Sequence, residues 1–444
     1  MSKAISHNDI EQYQKNLEQR KSAPVVSRAI QHNGILSTST NQKAYDRNQP
    51  IFSIELPTGQ VTDQKRAGFC WLFAALNTLR HHMANQFNLK GNFELSQNYV
   101  NFWDKFEKAN FFLENVLKTA NLPLTSRKVW WIMRAPQEDG GQWDMLCALI
   151  EKYGIVPKQA MGSTHNTTHS DELNQTLNSK LRLDAIQLRK LVAQKASEQQ
   201  ISQAKSKMLN VVYRMLVYSF GKPVQKFNFE YRDKNNQYHI DQGLTPKKFY
   251  DKYIGLNLEN YISIINSPTK DKPYHKTYTV DMLGNVIGGR PIKHLNLSMD
   301  EFEQLAIKQL KNGESVWFGS DVGQYSDRKN GIMDDRLYQK GQLFDTNLNL
   351  TKAQALDYGE SAMDHAMVLT GVDLVNGKPT KWKVENSWGK KVGNKGYFVM
   401  SESWFRRFAY QVVINKKYLS EDLKKAQAQK PIILKPWDPM GTLA

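Results

Sequence analysis

Gln64-Lys-Arg-Ala-Gly-Phe-Cys-Trp-Leu-Phe-Ala-Ala-Leu-Asn-Thr-Leu79 is the stretch on which the reading of this chain turns. A loop containing Ala67 and Gly68 runs into a helical pattern. Trp71, Ala74, Ala75, Thr78 and Leu79 recur at the three- and four-residue spacing that lines one helical face. Cys70, one of two cysteines in 444 residues, falls in the first turn of that helix. There a side chain meets unpaired backbone N–H groups and the positive end of the macrodipole. Both favour thiolate, and such positions lower a cysteine pKa from about 8.5 to roughly 3.5–7.5. A free cysteine also serves as a small apolar core residue, so the stretch alone leaves both readings open.

Two distant segments decide between them. In Ser361-Ala-Met-Asp-His-Ala-Met-Val-Leu-Thr370, His365 opens an apolar run, and Glu385-Asn-Ser-Trp-Gly389 follows the alternating run Lys381-Trp-Lys-Val384. A nucleophilic cysteine needs an imidazole to form an ion pair and later to protonate the leaving amine. A third group must orient that imidazole, and an amide does so without becoming charged. An oxyanion donor is also required. Gln64, six residues before Cys70, is placed to supply it beside the backbone N–H of Cys70.

Gln-x5-Cys-Trp, then His-Ala, then Asn-Ser-Trp-Gly, in this order, resemble the papain-like cysteine peptidases. The resemblance implies Cys70 as nucleophile, His365 as general base and acid, Asn386 as orienting residue and Gln64 as oxyanion donor. It also implies that Trp388 shields the His365–Asn386 contact from water. The implied fold class is α+β: a papain-like pair of lobes, one helical and one β-barrel-like, with helical insertions and an N-terminal extension.

Composition agrees with a folded enzyme. Forty per cent hydrophobic and 23% charged residues describe an ordinary globular protein. No apolar run reaches the roughly 18–20 residues of a membrane helix. The N-terminus, MSKAISHNDIEQYQKNLEQR, lacks the apolar centre of a signal peptide. With two cysteines there is no disulfide framework, so a reducing, cytoplasmic setting is expected. No cofactor or metal is expected. The formal charge of +17 could attract nucleic acid, but the lysines and arginines are interleaved with acids along the chain. A diffuse basic surface is the favoured reading, and a nucleic-acid-binding protein on a vestigial peptidase fold is the remote alternative.

Taken in order, residues 1–62 read as an N-terminal helix and an extended wrapping segment. The helix spans about 2–22 with an inner stripe of Ile5, Ile10, Tyr13 and Leu17; the region 31–62 is read as extended, with a short strand at 50–56. Residues 63–290 form a helical lobe carrying the nucleophile and, from 171 to about 220, an insertion of one or two helices. His81 and His82 are assigned to a polar helix face, and Cys147 to the core. His165 and His169 are assigned to a loop, with no metal. The paired glycines of Asp139-Gly-Gly-Gln-Trp-Asp144 precede a helix at 143–153 and permit close backbone approach, with Asp139 as an alternative helix cap. Residues 291–430 make the β-rich lobe with His365 and Asn386, and 431–444 an arm in the cleft.

The arm, Pro431-Ile-Ile-Leu-Lys-Pro-Trp-Asp-Pro-Met-Gly-Thr-Leu-Ala444, narrows the resemblance to the bleomycin hydrolase and bacterial aminopeptidase C branch. Leu95-Ser-Gln-Asn98 and His365-Ala-Met-Val-Leu-Thr-Gly371 add to it. That branch implies a groove lined by Gly140 and Gly141 and a terminal carboxylate, here on Ala444, that binds a substrate's free amine. It further implies a homohexameric cage acting on peptides. Phe69 and Asp364 depart from the branch pattern. Phe69 is expected to alter the groove wall, and Asp364 to favour the imidazolium form of His365. The expected activity is a cysteine aminopeptidase, and an oligopeptide endopeptidase of the same family is the alternative.

Overall fold

The helix Cys70–Gln86 is apolar on nearly every side, which suits only a helix packed from several directions. In the computed structural model, which describes residues 4–443, it is buried at the junction of two lobes. Helices Gln97–Lys118 and Trp143–Tyr153 pack around it on one side. The strand His365–Val375, buried over its first eight residues, lies on the other. Trp317, from the strand Val316–Ser320, donates its indole N–H to the carbonyl of Trp71 at 3.1 Å and so ties the sheet to the helix.

The insertion consists of two long helices, Asp171–Ala193 and Glu198–Phe220. Each presents leucines and other apolar residues at heptad-like spacing to the Gln97–Lys118 helix and leaves its other face in water. A hairpin, Phe227–Arg232 with Tyr238–Leu244, follows.

Among the described residues twelve strands join in one sheet. At its centre His365–Val375 pairs antiparallel with Lys378–Glu385 on one side and Val316–Ser320 on the other. His365 stands opposite Ser320. The short strand Ile54–Glu55 adds to the same central strand opposite Val372 and Gly371. Helix Met299–Lys311, started by a Ser298–Glu301 capping box, covers one face of the sheet, where its Phe302, Ala306 and Leu310 share a core with Phe318, Met367, Trp382 and Val412. Two strands read as part of the helical lobe, Tyr261–Ile265 and Lys276–Val280, belong to this sheet.

The N-terminal region differs from expectation. It is helical at His7–Glu18, Ala23–Asn33, Ile35–Thr38 and Gln42–Arg47, and only Ile54–Glu55 is strand. Short polar helices of this kind are held by caps and tertiary contacts; Asn41, for example, accepts the N–H of Lys43. The stripe of Ile5, Ile10, Tyr13 and Leu17 faces solvent, being 44–73% exposed. The segment is anchored instead by Asp334, whose carboxylate is fully buried. It accepts two bonds from Arg47 (2.8 and 2.7 Å) and one from Asn48 (2.7 Å). His165–Thr168 is a single helical turn rather than loop, with His165 and His169 stacked. Among the described residues no cluster of His, Cys, Asp and Glu could hold a metal ion, and no helix is long and apolar enough to cross a membrane.

Removing the guanidinium leaves the Asp334 carboxylate buried with weaker pairing. Arg47→Ala is expected to cost about 2–3 kcal/mol, measured by equilibrium denaturation; an unchanged midpoint would show that the N-terminal segment is anchored elsewhere.

Candidate active site

Cys70 opens its helix after Phe69, which makes no side-chain cap. The carbonyl of Phe69 takes the N–H groups of Leu72 and Phe73, so those of Cys70 and Trp71 point out of the helix end. The backbone N–H groups of Ala366, the residue after His365, and of Trp71 lie near enough to the Cys70 thiol to favour its ionised form. The thiol thus faces the end of the strand that His365 opens, across the lobe junction from a position 295 residues away.

His365 is 5% exposed, and its Nε2 lies 2.9 Å from Asn386 Oδ1. The same oxygen accepts the N–H of Ser387 at 2.8 Å, which fixes the amide's orientation. Nε2 must therefore carry the proton, leaving Nδ1 as the acceptor in the neutral ring. Trp388 stacks on the imidazole at 4.8 Å, and the guanidinium of Arg328 lies over the same indole at 4.4 Å. Gln64 is buried: its backbone N–H bonds Ser387 O (2.8 Å), its Nε2 bonds Ala67 O (2.7 Å), and its Oε1 accepts from the Ser387 hydroxyl. One Nε2 hydrogen remains free. The glycine of the Asn-Ser-Trp-Gly turn is required twice over, because Gly389 has φ +76° and a Cβ there would lie 2.5 Å from the Asp63 carboxylate.

Burial pushes the Cys70 thiol up to about 12 and the His365 imidazole down to about 4; the Ala366 and Trp71 N–H groups oppose the first shift and Asn386 the second. Each charge taken singly is therefore disfavoured. Two opposite charges formed together would each offset the other's loss of water.

Asp139 ties this end of the helical lobe together. Its Oδ2 takes the Gly68 N–H (2.9 Å) and the Ser170 hydroxyl, and its Oδ1 takes Lys105 Nζ and Asn174 Nδ2, both at 2.7 Å. Its carbonyl accepts the Trp71 indole N–H at 2.7 Å. Burial opposes ionisation, but Lys105 and these donors bring the pKa down to about 2. Asp139 is therefore not the helix cap; Gln142 holds that position. Gly141 passes so close to Trp71 that a Cβ would lie 2.4 Å from the ring.

The C-terminal arm is packed into the cleft. Ile432–Leu434 pairs in parallel with Tyr278–Val280, Trp437 lies under Arg127 (4.0 Å), and Asp438 pairs with Lys272 (2.9 Å). Further on, Thr442 donates to Met363 O and the N–H of Gly141 donates to Leu443 O, both at 2.9 Å. The arm therefore bridges the two walls within two residues of His365. Ala444 lies outside the described residues.

Residues 4–441 match the Peptidase C1-like family. The chain belongs to that family. The peptidase is 56% identical to aminopeptidase C of Lactobacillus helveticus, with 100% of this chain and 99% of that protein covered. It is 49% identical to aminopeptidase C of Listeria innocua over the whole of both chains. Aminopeptidase G of Lactobacillus delbrueckii is 42% identical over 99% of this chain and 100% of that one. The crystal structure of PepW from Lactobacillus rhamnosis superposes with a TM-score of 0.99 at 60% identity over the whole of both chains. The fold is accordingly papain-like α+β.

Several sequence assignments change in three dimensions. Phe69 is completely buried, with Lys105 5.7 Å from its ring, so it packs inward and does not form the groove wall. Asp364 accepts the Val322 N–H (2.8 Å), and its charge acts on the Cys70 thiol, opposing ionisation, rather than on His365. Burial, then Asp321, raises Asp364 to about 6, against that N–H bond. The groups that act on His365 are Asn386 and Arg328. His81 belongs to no polar face: it is buried, with Nε2 3.0 Å from Glu385. Cys147 is buried and burial holds its thiol protonated. Arg328, Lys105 and the Met363 carbonyl were invisible to motif reading, because nothing local in the sequence marks them.

Because the Asp139 pKa is held below the roughly 3.9 of an unfolded aspartate, its stabilisation is complete above about pH 4 and is lost as the pH falls towards 2. Asp139→Asn should cost about 2 kcal/mol at neutral pH and flatten the acid limb of stability against pH. An unaltered limb in denaturation series would contradict the assignment.

Proposed function

We propose that this peptidase is a cysteine aminopeptidase that removes N-terminal residues from peptides through an acyl-enzyme. In the proposed cycle the proton of the Cys70 thiol moves to His365 Nδ1 and the sulfur attacks the scissile carbonyl carbon. The oxyanion is held by the Cys70 N–H and the free Nε2 hydrogen of Gln64. The C–N bond breaks as His365 returns its proton to the leaving amine, giving a thioester. His365 then takes a proton from water as the oxygen adds to the thioester carbonyl; the C–S bond breaks, the acid is released, and the proton on His365 returns to the sulfur. Asn386 keeps the imidazole turned through both steps, and Trp388 keeps water from that bond.

The observation that supports an exopeptidase is the Gly141 N–H to Leu443 O bond. That N–H is the donor an extended substrate backbone would use, and the arm already uses it. A peptide continuing on the amino side of the scissile residue must compete with the arm, whereas a free N-terminus need not. The expected role of the Ala444 carboxylate as amine partner is part of this proposal. So are Gly140 and Gly141 as groove residues and a cytoplasmic location. A homohexamer is also proposed, since the exposed stripe Ile5, Ile10, Tyr13 and Leu17 offers apolar surface for assembly. Nucleic acid is not favoured, and no cofactor has a role in the cycle.

Cys70→Ser and Cys70→Ala should lower turnover by a thousandfold or more, on the order expected for loss of a nucleophile, with the fold retained; near-normal hydrolysis would defeat the mechanism. Fluorogenic peptides with free and blocked amines test the specificity. Preference for the free amine is expected, and deleting residues 442–444 should raise blocked-peptide hydrolysis relative to free by roughly tenfold or more. A preference for blocked peptides in the intact chain would instead identify the oligopeptide endopeptidase.

A further inference from the structure

Asn386 orients His365, and the residue immediately before it, Glu385, carries a carboxylate with no exposed surface. Arg80 Nη2 bonds Glu385 Oε1 at 2.6 Å, and His81 Nε2 stands 3.0 Å from Oε2, a close contact of opposite polarity that falls short of hydrogen-bond alignment. Both partners are on the Cys70–Gln86 helix. Arg80 also donates to the carbonyls of Gln60 (2.8 Å) and Phe93 (3.4 Å). His81 Nδ1 lies 3.1 Å from the Ser315 hydroxyl, immediately before the strand that pairs with His365. The nearby Tyr397 bonds the Gly59 carbonyl at 2.7 Å and presents no further charge.

A buried ion cluster of this kind is weak evidence for stability, because desolvation offsets much of the attraction. What it does supply is register. The helix that begins with Cys70 ends its third turn on the residue that precedes Asn386 and on the strand beside His365. Any slide or tilt between the lobes would leave the carboxylate unpaired in a dry site. Trp317 to the Trp71 carbonyl and Gln64 to Ser387 also cross the junction, but between uncharged groups, whereas the bond between Arg80 and Glu385 is charge-assisted and more demanding of geometry.

We propose that Glu385 is a positioning residue. Through Arg80 and His81 it locks Asn386, and with it the His365 imidazole, to the helix bearing Cys70. The inference rests on the peptidase reading, and its test separates the two: wild-type turnover and its loss in Cys70→Ser report the reading, while Glu385 variants report the lock.

Glu385→Gln retains shape and removes the charge. With active sites counted by thiol titration, kcat per site should fall by about tenfold or more, as sub-ångström misplacement of a catalytic group requires, while KM stays within twofold. The acid limb of the kcat–pH profile should move to higher pH, because a less well oriented imidazole stabilises thiolate less. His81→Gln keeps a neutral donor and should show the same changes at smaller size; it decides the matter if Glu385→Gln does not fold. A role confined to stability would lower the melting temperature or the number of titratable sites, with kcat per site and the pH profile unchanged. That result, in either folded variant, would overturn the proposal.

Discussion

The packing of one buried helix against one buried strand governs this molecule. Helix Cys70–Gln86 and strand His365–Val375 meet at the lobe junction, and the first residue of each is a member of the proposed dyad. Neither element could be stable in water by itself, since both are apolar on most sides. Their burial sets the Cys70 thiol against the end of the strand that carries His365, and it also removes the water that would otherwise solvate a lone charge on either. The same constraint thus positions the pair and makes sense of charges that arise only together.

Polar groups fix what apolar packing leaves loose. Asp139 gathers the loop before Cys70, the Trp71 indole and the start of the insertion helix Asp171–Ala193 around one carboxylate. On the far side of the helix, Glu385 ties the strand before Asn386 to Arg80 and His81. The insertion and the C-terminal arm, which enlarge the chain beyond a minimal two-lobe peptidase, both end at this site: the former through Ser170 and Asn174, the latter through Thr442 and Leu443.

Much of the architecture was legible because its signals are local. The apolar period after Cys70, the alternating runs at 365–385 and the capping Ser298 each act over a few residues, and helices and strands lie where those patterns place them. The contiguous motifs around Gln64, Cys70, His365 and Asn386 likewise converge on one junction. Burial is not local, and there the reading went astray. Phe69 and His81 look like groove and surface residues until the helix is seen enclosed on both sides. The region 31–62, rich in Ser, Asn and Gln, reads as extended, yet its short helices depend on Asp334 nearly three hundred residues away. Asp139 resembles a helix cap because a cap is the nearest use for it; its four donors come from three other parts of the chain.

The central claim is that Cys70 and His365 share a proton as an ion pair. The rate of Cys70 alkylation by iodoacetamide, followed from pH 3 to 10 by mass spectrometry of the labelled peptide, tests it directly. The account predicts rapid labelling at neutral pH with an acid limb well below the roughly 8.5 of a free cysteine. A single limb at or above that value, unchanged when His365 is replaced by alanine, would contradict it.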